Sequence, residues 1–351
     1  MNYTFFLGAN SRRGFISFFE DVCNEQSGRE VFMVKSGPGC GKSTLIHAIG
    51  DALAGTGAQE RILCSSDPNS LDGVILHARN CAVMDGTAPH VMEPAMPGAN
   101  GGYLALPPFL DRATLREKAA ALNTLAAAAR GHYAQATRLI AAACEVRDHI
   151  RQSVEPLFDK QRFTRRAAGI AVREFPHTEG RGRIFRRFLD GVTPDGCIRL
   201  WDTVETLCTR VYELSDSYGF SHLLLEPLLH TAVARGCDVY ACYDPCEPSR
   251  LLHLLLPSLS LAFVTTGEER CPLPVYRHIR VDAYVTVSGE RHLRGRTRLL
   301  SRVADSLMED AVFEIQSAHL LHDRIEAIYR PHIDFAALNR RRDEIIAELS
   351  E

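Results

Sequence analysis

The chain contains a copy of itself, so any fold proposed for it must be built twice. Residues Phe6–Val22, FLGANSRRGFISFFEDV, align without a gap on Phe188–Val204, FLDGVTPDGCIRLWDTV. The alignment pairs Phe6, Leu7, Gly14, Ile16 and Val22 with Phe188, Leu189, Gly196, Ile198 and Val204. The likeness continues in order: VFMVKSGPGCGKSTL with VYELSDSYGFSHLLL, LCSSDPNSL with ACYDPCEPSRL, CAVMDGT with LAFVTTG, and VRDHIRQSVEP with LHDRIEAIYRP. Matches kept in one order indicate a tandem duplication, with halves of about 1–178 and 179–351. A chain of 351 residues that is 46% hydrophobic has material for a core in each half.

Within a half, short apolar strands (Phe5–Leu7, Val31–Val34, Arg61–Cys64, Ala82–Met84) alternate with helical segments, the pattern of an α/β domain with a mainly parallel sheet. A long helical stretch follows. Leu125, Ala129, Ala136, Leu139, Ala143, Val146, Ile150, Val154 and Leu157 recur at steps of three, four or seven, a helical seam expected to pack on its equivalent at Leu299–Ile328. Gly131 marks either the turn of a helical hairpin or a tolerated interruption. The segment QRFTRRAAGIAVREFPHTEGRGRIFRR joins the halves; its eight arginines and weak periodicity read as a solvated connector, or as the source of an arginine that reaches a ligand.

The first copy of the second matched segment carries a chemical signature. An apolar strand feeds SGPGCGKS, residues 36–43, which fits the phosphate-binding loop pattern except that Ser36 replaces the first glycine. Gly37, Gly39 and Gly41 let the backbone turn its N–H groups inward, around Pro38 and Cys40. Lys42 opens a helix, continued by Ser43 and Thr44, whose N-terminus favours an anion. In such a cradle Lys42 meets the outer phosphates and Ser43 holds Mg²⁺. Asp85, after the strand Cys81–Met84, is the acid expected to complete the Mg²⁺ shell. Asp67 and Asp72, in CSSDPNSLDG, are placed at the carboxyl rim of the sheet and are candidate bases; Asp-Pro and Asp-Gly are also ordinary turn chemistry. His90 reads as a structural histidine, and no glutamate directly follows Asp85 to activate a water. Lys35 and Lys42 are two of only four lysines in an arginine-rich chain.

The second copy has lost this apparatus. Lys42 aligns with His222, Ser43 with Leu223, Gly41 with Ser221, Asp85 with Thr265 and Ser36 with Asp216, which would repel phosphate.

Through FFLGANSRRGF, SGPGCGKSTL, CSSDPNSLDGV, VMDGTAPHV and the repeated Asp…Pro helical segments, the whole chain resembles a family of uncharacterised bacterial P-loop ATPase-like proteins with two tandem halves. The resemblance implies a P-loop NTPase fold and ATP or GTP at Lys42 and Ser43, with no settled substrate. Family members commonly look competent in both halves, and this chain departs in the second. The expected function is Mg²⁺-dependent nucleotide binding and hydrolysis in the first half, the second being regulatory or structural. The alternatives are a small-molecule or nucleotide kinase, and a nucleotide-sensing scaffold.

A net charge of -3 argues against a DNA or RNA partner. No apolar run reaches the length of a membrane span. The opening MNYTFFLGANSRR lacks the charged and apolar regions of a signal peptide, so a cytoplasmic location is expected. A protein partner is left unidentified. Cys237, Cys242, Cys246 and Cys271 lack a CxxC pair and read as buried thiols rather than metal ligands.

Overall fold

A computed structural model describes residues 1–24, 28–94, 96–105, 111–267 and 269–350. The protein is α/β, with two six-stranded mixed sheets. The first half contributes β1 (Asn2–Phe6), β2 (Gly8–Ser11), β3 (Gly14–Ser17), α1 (Phe19–Asn24), β4 (Glu30–Lys35), α2 (Lys42–Ala52), β5 (Gln59–Cys64), β6 (Asp67–Leu76), β7 (Cys81–Asp85) and β8 (Gly101–Ala105). Then come α3 (Arg112–Glu117), α4 (Ala119–Val154) and α5 (Lys160–Glu174). The second half repeats the series as β9 (Ile184–Arg187), β10 (Asp190–Thr193), β11 (Gly196–Arg199), α6 (Trp201–Leu207), β12 (Arg210–Ser215), α7 (His222–Ala234), β13 (Val239–Tyr243), β14 (Leu251–Leu256), β15 (Leu261–Thr266), β16 (Val275–Arg280), α8 (Val287–Tyr329) and α9 (Phe335–Ser350).

The sheets run β1-β5-β6-β7-β4-β8 and β9-β13-β14-β15-β12-β16, the same order twice. In each, one strand, β6 or β14, is antiparallel to both neighbours and the remaining pairs are parallel. Both sheets are covered by helices, so strands such as β4 bury Val31, Met33 and Val34 in succession instead of alternating with polar residues. Even the left-handed residues repeat: Asn80 and Ser260 lie at φ of 50° and 51° before β7 and β15.

The two copies meet through equivalent residues. Phe6 and Phe188, paired by the sequence repeat, exchange backbone hydrogen bonds of 3.0 and 2.9 Å in an antiparallel bridge between the sheets. Self-complementary contact of this kind is what a two-fold interface requires, here within one chain.

The helical part differs from the expected hairpin in each half. Gly131 lies inside α4, a single helix of 36 residues, and α4 pairs with α8 of the other half. His132–Glu314, Arg147–Asp305 and His149–Arg296 contacts show the two helices running antiparallel. Ala304, Met308, Ala311, Ile315 and Ala318 on α8 are buried at alternating steps of four and three, the spacing of a two-helix seam. Each long helix thus carries its successor across the molecule. α5 buries Phe163, Ala167 and Ile170 against Leu224, Leu225 and Leu228 of α7, and α9 buries Leu338 and Ile345 against Leu45, Ile46 and Ile49 of α2. The supposed solvated connector is therefore, over Lys160–Glu174, an amphipathic helix docked on the second half.

Candidate functional site

The glycine-rich loop leaves β4 at Lys35 and enters α2 at Lys42. Gly39 and Gly41 adopt φ of +66° and +75°, a region that other residues avoid, and this opens the turn that places backbone amides toward one point. Lys42 Nζ donates to Gly37 O at 3.1 Å and lies 3.9 Å from Asp85 Oδ2. β4 and β7 are parallel neighbours with Val34 opposite Asp85, so the sheet itself brings the expected acid to the lysine. Asp85 Oδ1 accepts from Thr87 N at 2.8 Å and Thr87 Oγ1 at 2.6 Å, leaving its other oxygen toward Lys42. Ser43 Oγ accepts from Leu71 N at 2.9 Å, which joins the loop to β6. Ser36, Gly37, Pro38, Cys40 and Thr44 form the remainder of the loop and first turn. Lys35 faces elsewhere, donating to Met92 O and Glu93.

The other two acids lie beside the carboxyl end of β5, near the rim that the sequence suggests, but each is engaged there. Asp67 starts β6 and accepts from Asn69 N and Ser70 Oγ, capping its own turn. Asp72 is inside β6 and only 5% exposed, with its Oδ2 3.1 Å from His90 Nε2. β6 was not anticipated as a strand, since its first residues, DPNS, carry turn signals.

An unforeseen acid reaches the loop from the other half. Gly39 N donates to Glu326 Oε1 at 3.0 Å, and Glu326 stands near the end of α8. The bond to His322 and the amide of Gly39, with the charge of Lys42, hold the Glu326 carboxyl below its ordinary range. One amide of the loop thus already holds a carboxylate, supplied by the other half. α9 closes over the same place: Leu338 lies against Gly41, and Thr44, Phe335, Asn339 and Arg342 line a cavity of about 70 Å³ between α2 and α9. In the repeat alignment Glu326 is equivalent to Arg151, which gives no sequence signal for such a role.

The second half shows how the equivalent loop is satisfied without a ligand. Asp216 accepts from Tyr218 N at 3.1 Å, Gly219 N at 2.8 Å and Ser221 N at 2.6 Å. Its carboxylate occupies the ring of amides from within. His222, at the lysine position, is held by burial below its ordinary pKa, so it supplies no ammonium-like charge there. Arg151, from α4, reaches this loop as Glu326 reaches the first. Among known protein families, curated proteins and solved structures, none matches this chain.

Proposed function

We propose that the chain binds a Mg²⁺–nucleoside triphosphate, ATP or GTP, at residues 36–44 of a P-loop-type first half and hydrolyses it. The second half supplies a carboxylate and a helix that the ligand must displace. The observation that carries this reading is the anion held on Gly39 N, beside Lys42 and across from Asp85. Ser43 and Asp85 would hold the metal, and Lys42 would meet the phosphates. The metal would neutralise charge on the phosphates; the residues of the chain position and enclose them.

Nucleotide-sized sites need about 300 Å³ or more. The cavity of about 70 Å³ beneath α9 is much smaller, so entry of a nucleotide there requires α9 and the end of α8 to move. Binding would in this way be coupled to the helices that tie the halves together. The placements of Asp67, on its own turn, and of Asp72, beside His90, favour hydrolysis over transfer to a substrate hydroxyl.

Nucleotide binding and phosphate release with Mg²⁺ test the reading on the intact protein, Lys42→Ala and His222→Ala. Removing the ammonium should weaken binding by about 10- to 100-fold, the worth of a charge-assisted contact. His222→Ala should leave binding unchanged. An intact protein that binds no nucleotide would overturn the proposal, and binding without phosphate release would reassign the chain as a nucleotide sensor.

A further inference from the structure

Beside the loop, but apart from the residues assigned to it, lies a cluster of different chemistry. Cys64 ends β5, Asp72 lies on the antiparallel strand β6, and His90 follows β7 by five residues. One ligand atom from each lies within 4.8 Å of the other two. In sequence Cys64, Asp72 and His90 stand apart, without the short spacing of a metal motif. Only the antiparallel return of β6 between β5 and β7 brings the three together.

We propose that Cys64, Asp72 and His90 form a three-ligand site for a borderline-soft divalent cation of the zinc class. Thiolate, imidazole and carboxylate together favour such an ion over Mg²⁺, which takes oxygen ligands. Zinc bonds of about 2.0–2.3 Å in a tetrahedron set ligand atoms roughly 3.3–3.8 Å apart, so atoms that lie within 4.8 Å of one another need shifts of at most about 1.5 Å. Both Asp72 and His90 are 5% exposed, and Asp72 Oδ2 and His90 Nδ1 have no hydrogen-bond partner among the described residues. The 3.1 Å approach of Asp72 Oδ2 to His90 Nε2 is close but out of line for a hydrogen bond. Polar atoms buried without partners are costly, and a cation held by one ring nitrogen of His90 and by Asp72 Oδ2 would satisfy that carboxylate oxygen.

The imidazole is also fixed in place beforehand. It stacks on Phe19 at 4.5 Å and meets the edge of Phe15 at 4.9 Å. Cys64 is only partly buried, so three protein ligands would leave a fourth position for water or an anion, the arrangement of reactive rather than structural zinc sites. Among the described residues, the second half has no such set. The β14–β15 register, His253 opposite Val264, matches Gly73 opposite Met84, and this puts apolar Leu252 in the place of Asp72. The site therefore belongs to the half with the intact loop. Leu71, whose N–H holds Ser43, adjoins Asp72 in sequence, so cation and loop share one strand. The proposal stands independently of nucleotide binding, and its test uses none.

The competing arrangement is a metal-free one, with the Cys64 thiol donating to an Asp72–His90 ion pair. Full-length protein stripped with a chelator and titrated with Co²⁺ separates the two. The intact protein should take up one equivalent with a thiolate-to-cobalt charge-transfer band, and Zn²⁺ should displace it. Cys64→Ser should abolish the band, and Asp72→Asn should weaken uptake by about 10- to 100-fold. Cys197→Ser, an exposed thiol, should change nothing. Unfolding curves without metal identify any variant that has lost its fold, and Zn²⁺ should raise the midpoint of the intact protein more than that of either ligand variant. No uptake by the intact protein, or a band that survives in Cys64→Ser, would overturn the site and leave the buried ion pair.

Discussion

Glu326 and Asp216 fill the same kind of place by different routes. Asp216 belongs to its own loop and accepts three of its amides, so that loop carries its anion permanently. Glu326 comes from the other half, makes one such bond, and its side chain is 43% exposed, so it can leave. Under the proposed function a nucleotide competes with it. Glu326→Ala is accordingly expected to tighten nucleotide binding about three- to tenfold, since a half-exposed charged contact is worth about 1 kcal/mol. A fluorescent nucleotide titration would show this; unchanged affinity would mean that Glu326 does not contend for the phosphate place. The residues local to the loop, Gly37 to Ser43, were legible because their chemistry is written at fixed spacing on one strand–loop–helix unit. Glu326, 287 positions from Gly39, was not, because nothing near it announces a contact made only by a helix crossing the molecule. Cys64 was missed for a related reason: its proposed partners lie on another strand and in the segment after β7, without the short spacing that marks a metal site in sequence.

At the scale of elements, periodicity succeeded where composition misled. The seam along α4 was readable from its apolar steps, and so was its equivalent in α8 as the surface it packs on. The arginine-rich segment looked like a connector, yet Phe163, Ala167 and Ile170 stand at helical steps and form the buried face of α5. Charge on the exposed face masked that stripe. β6 was hidden by the turn-forming residues at its start, while its buried end, Val74–Leu76, reads equally as strand or helix. Gly131 gives a clean test of α4 as one continuous helix. A Cβ there would meet nothing within 4 Å, and the position is exposed. Gly131→Ala should stabilise the protein by about 0.5–1 kcal/mol, from the entropy that glycine loses in a helix interior. Urea unfolding would measure it; destabilisation would indicate a bend at this position and restore the hairpin reading.

For the whole molecule, the two sheets are joined by a buried polar seam as well as by packing. Arg187 of β9 makes a bidentate pair with Glu60 of β5, and both side chains are at most 1% exposed. Tyr3 connects to the same seam through His77 at 2.9 Å and Tyr240 at 2.8 Å. Burial alone pushes the Glu60 carboxyl up, but the charge and hydrogen bonds of Arg187, with His77 3.6 Å away, more than offset it and bring it from 4.5 to about 2. A folded pKa below the unfolded one contributes stability above the unfolded value. That contribution is lost as pH falls from about 4.5 toward about 2. Glu60→Gln should flatten this part of the stability–pH curve and, by taking away the carboxylate charge against which Arg187 is buried, cost about 3–5 kcal/mol at neutral pH. Unfolding midpoints measured from pH 7 to pH 3 check both; parallel curves for the two proteins would mean that the pair does not link folding to pH.

The exchange of arms makes a stronger demand on the chain. If each half were an independent domain, the boundary near residue 178 would separate two working cores. The packing instead crosses it: α5 completes the core around α7, α9 completes the core around α2, and α4 and α8 bury their seams on each other. A fragment of 1–178 would expose Ile140, Ala143, Phe163 and Ile170, all buried in the whole chain, and would leave α2 without Leu338 and Ile345. Apolar faces of this extent are not stable in water without a partner. Produced separately, 1–178 and 179–351 should therefore not yield monomers with cooperative unfolding, whereas co-expression should recover a one-to-one complex. Light scattering and urea melts distinguish these outcomes. The duplication also allows two copies of 1–178 to pair, with α5 of each on α2 of the other, and a homodimer would support the same exchanged architecture. A fragment 1–178 that is monomeric and unfolds in one sharp transition would show that the arms are dispensable to the core, and coupling of the loop to the second half through α8 and α9 would then lose its basis.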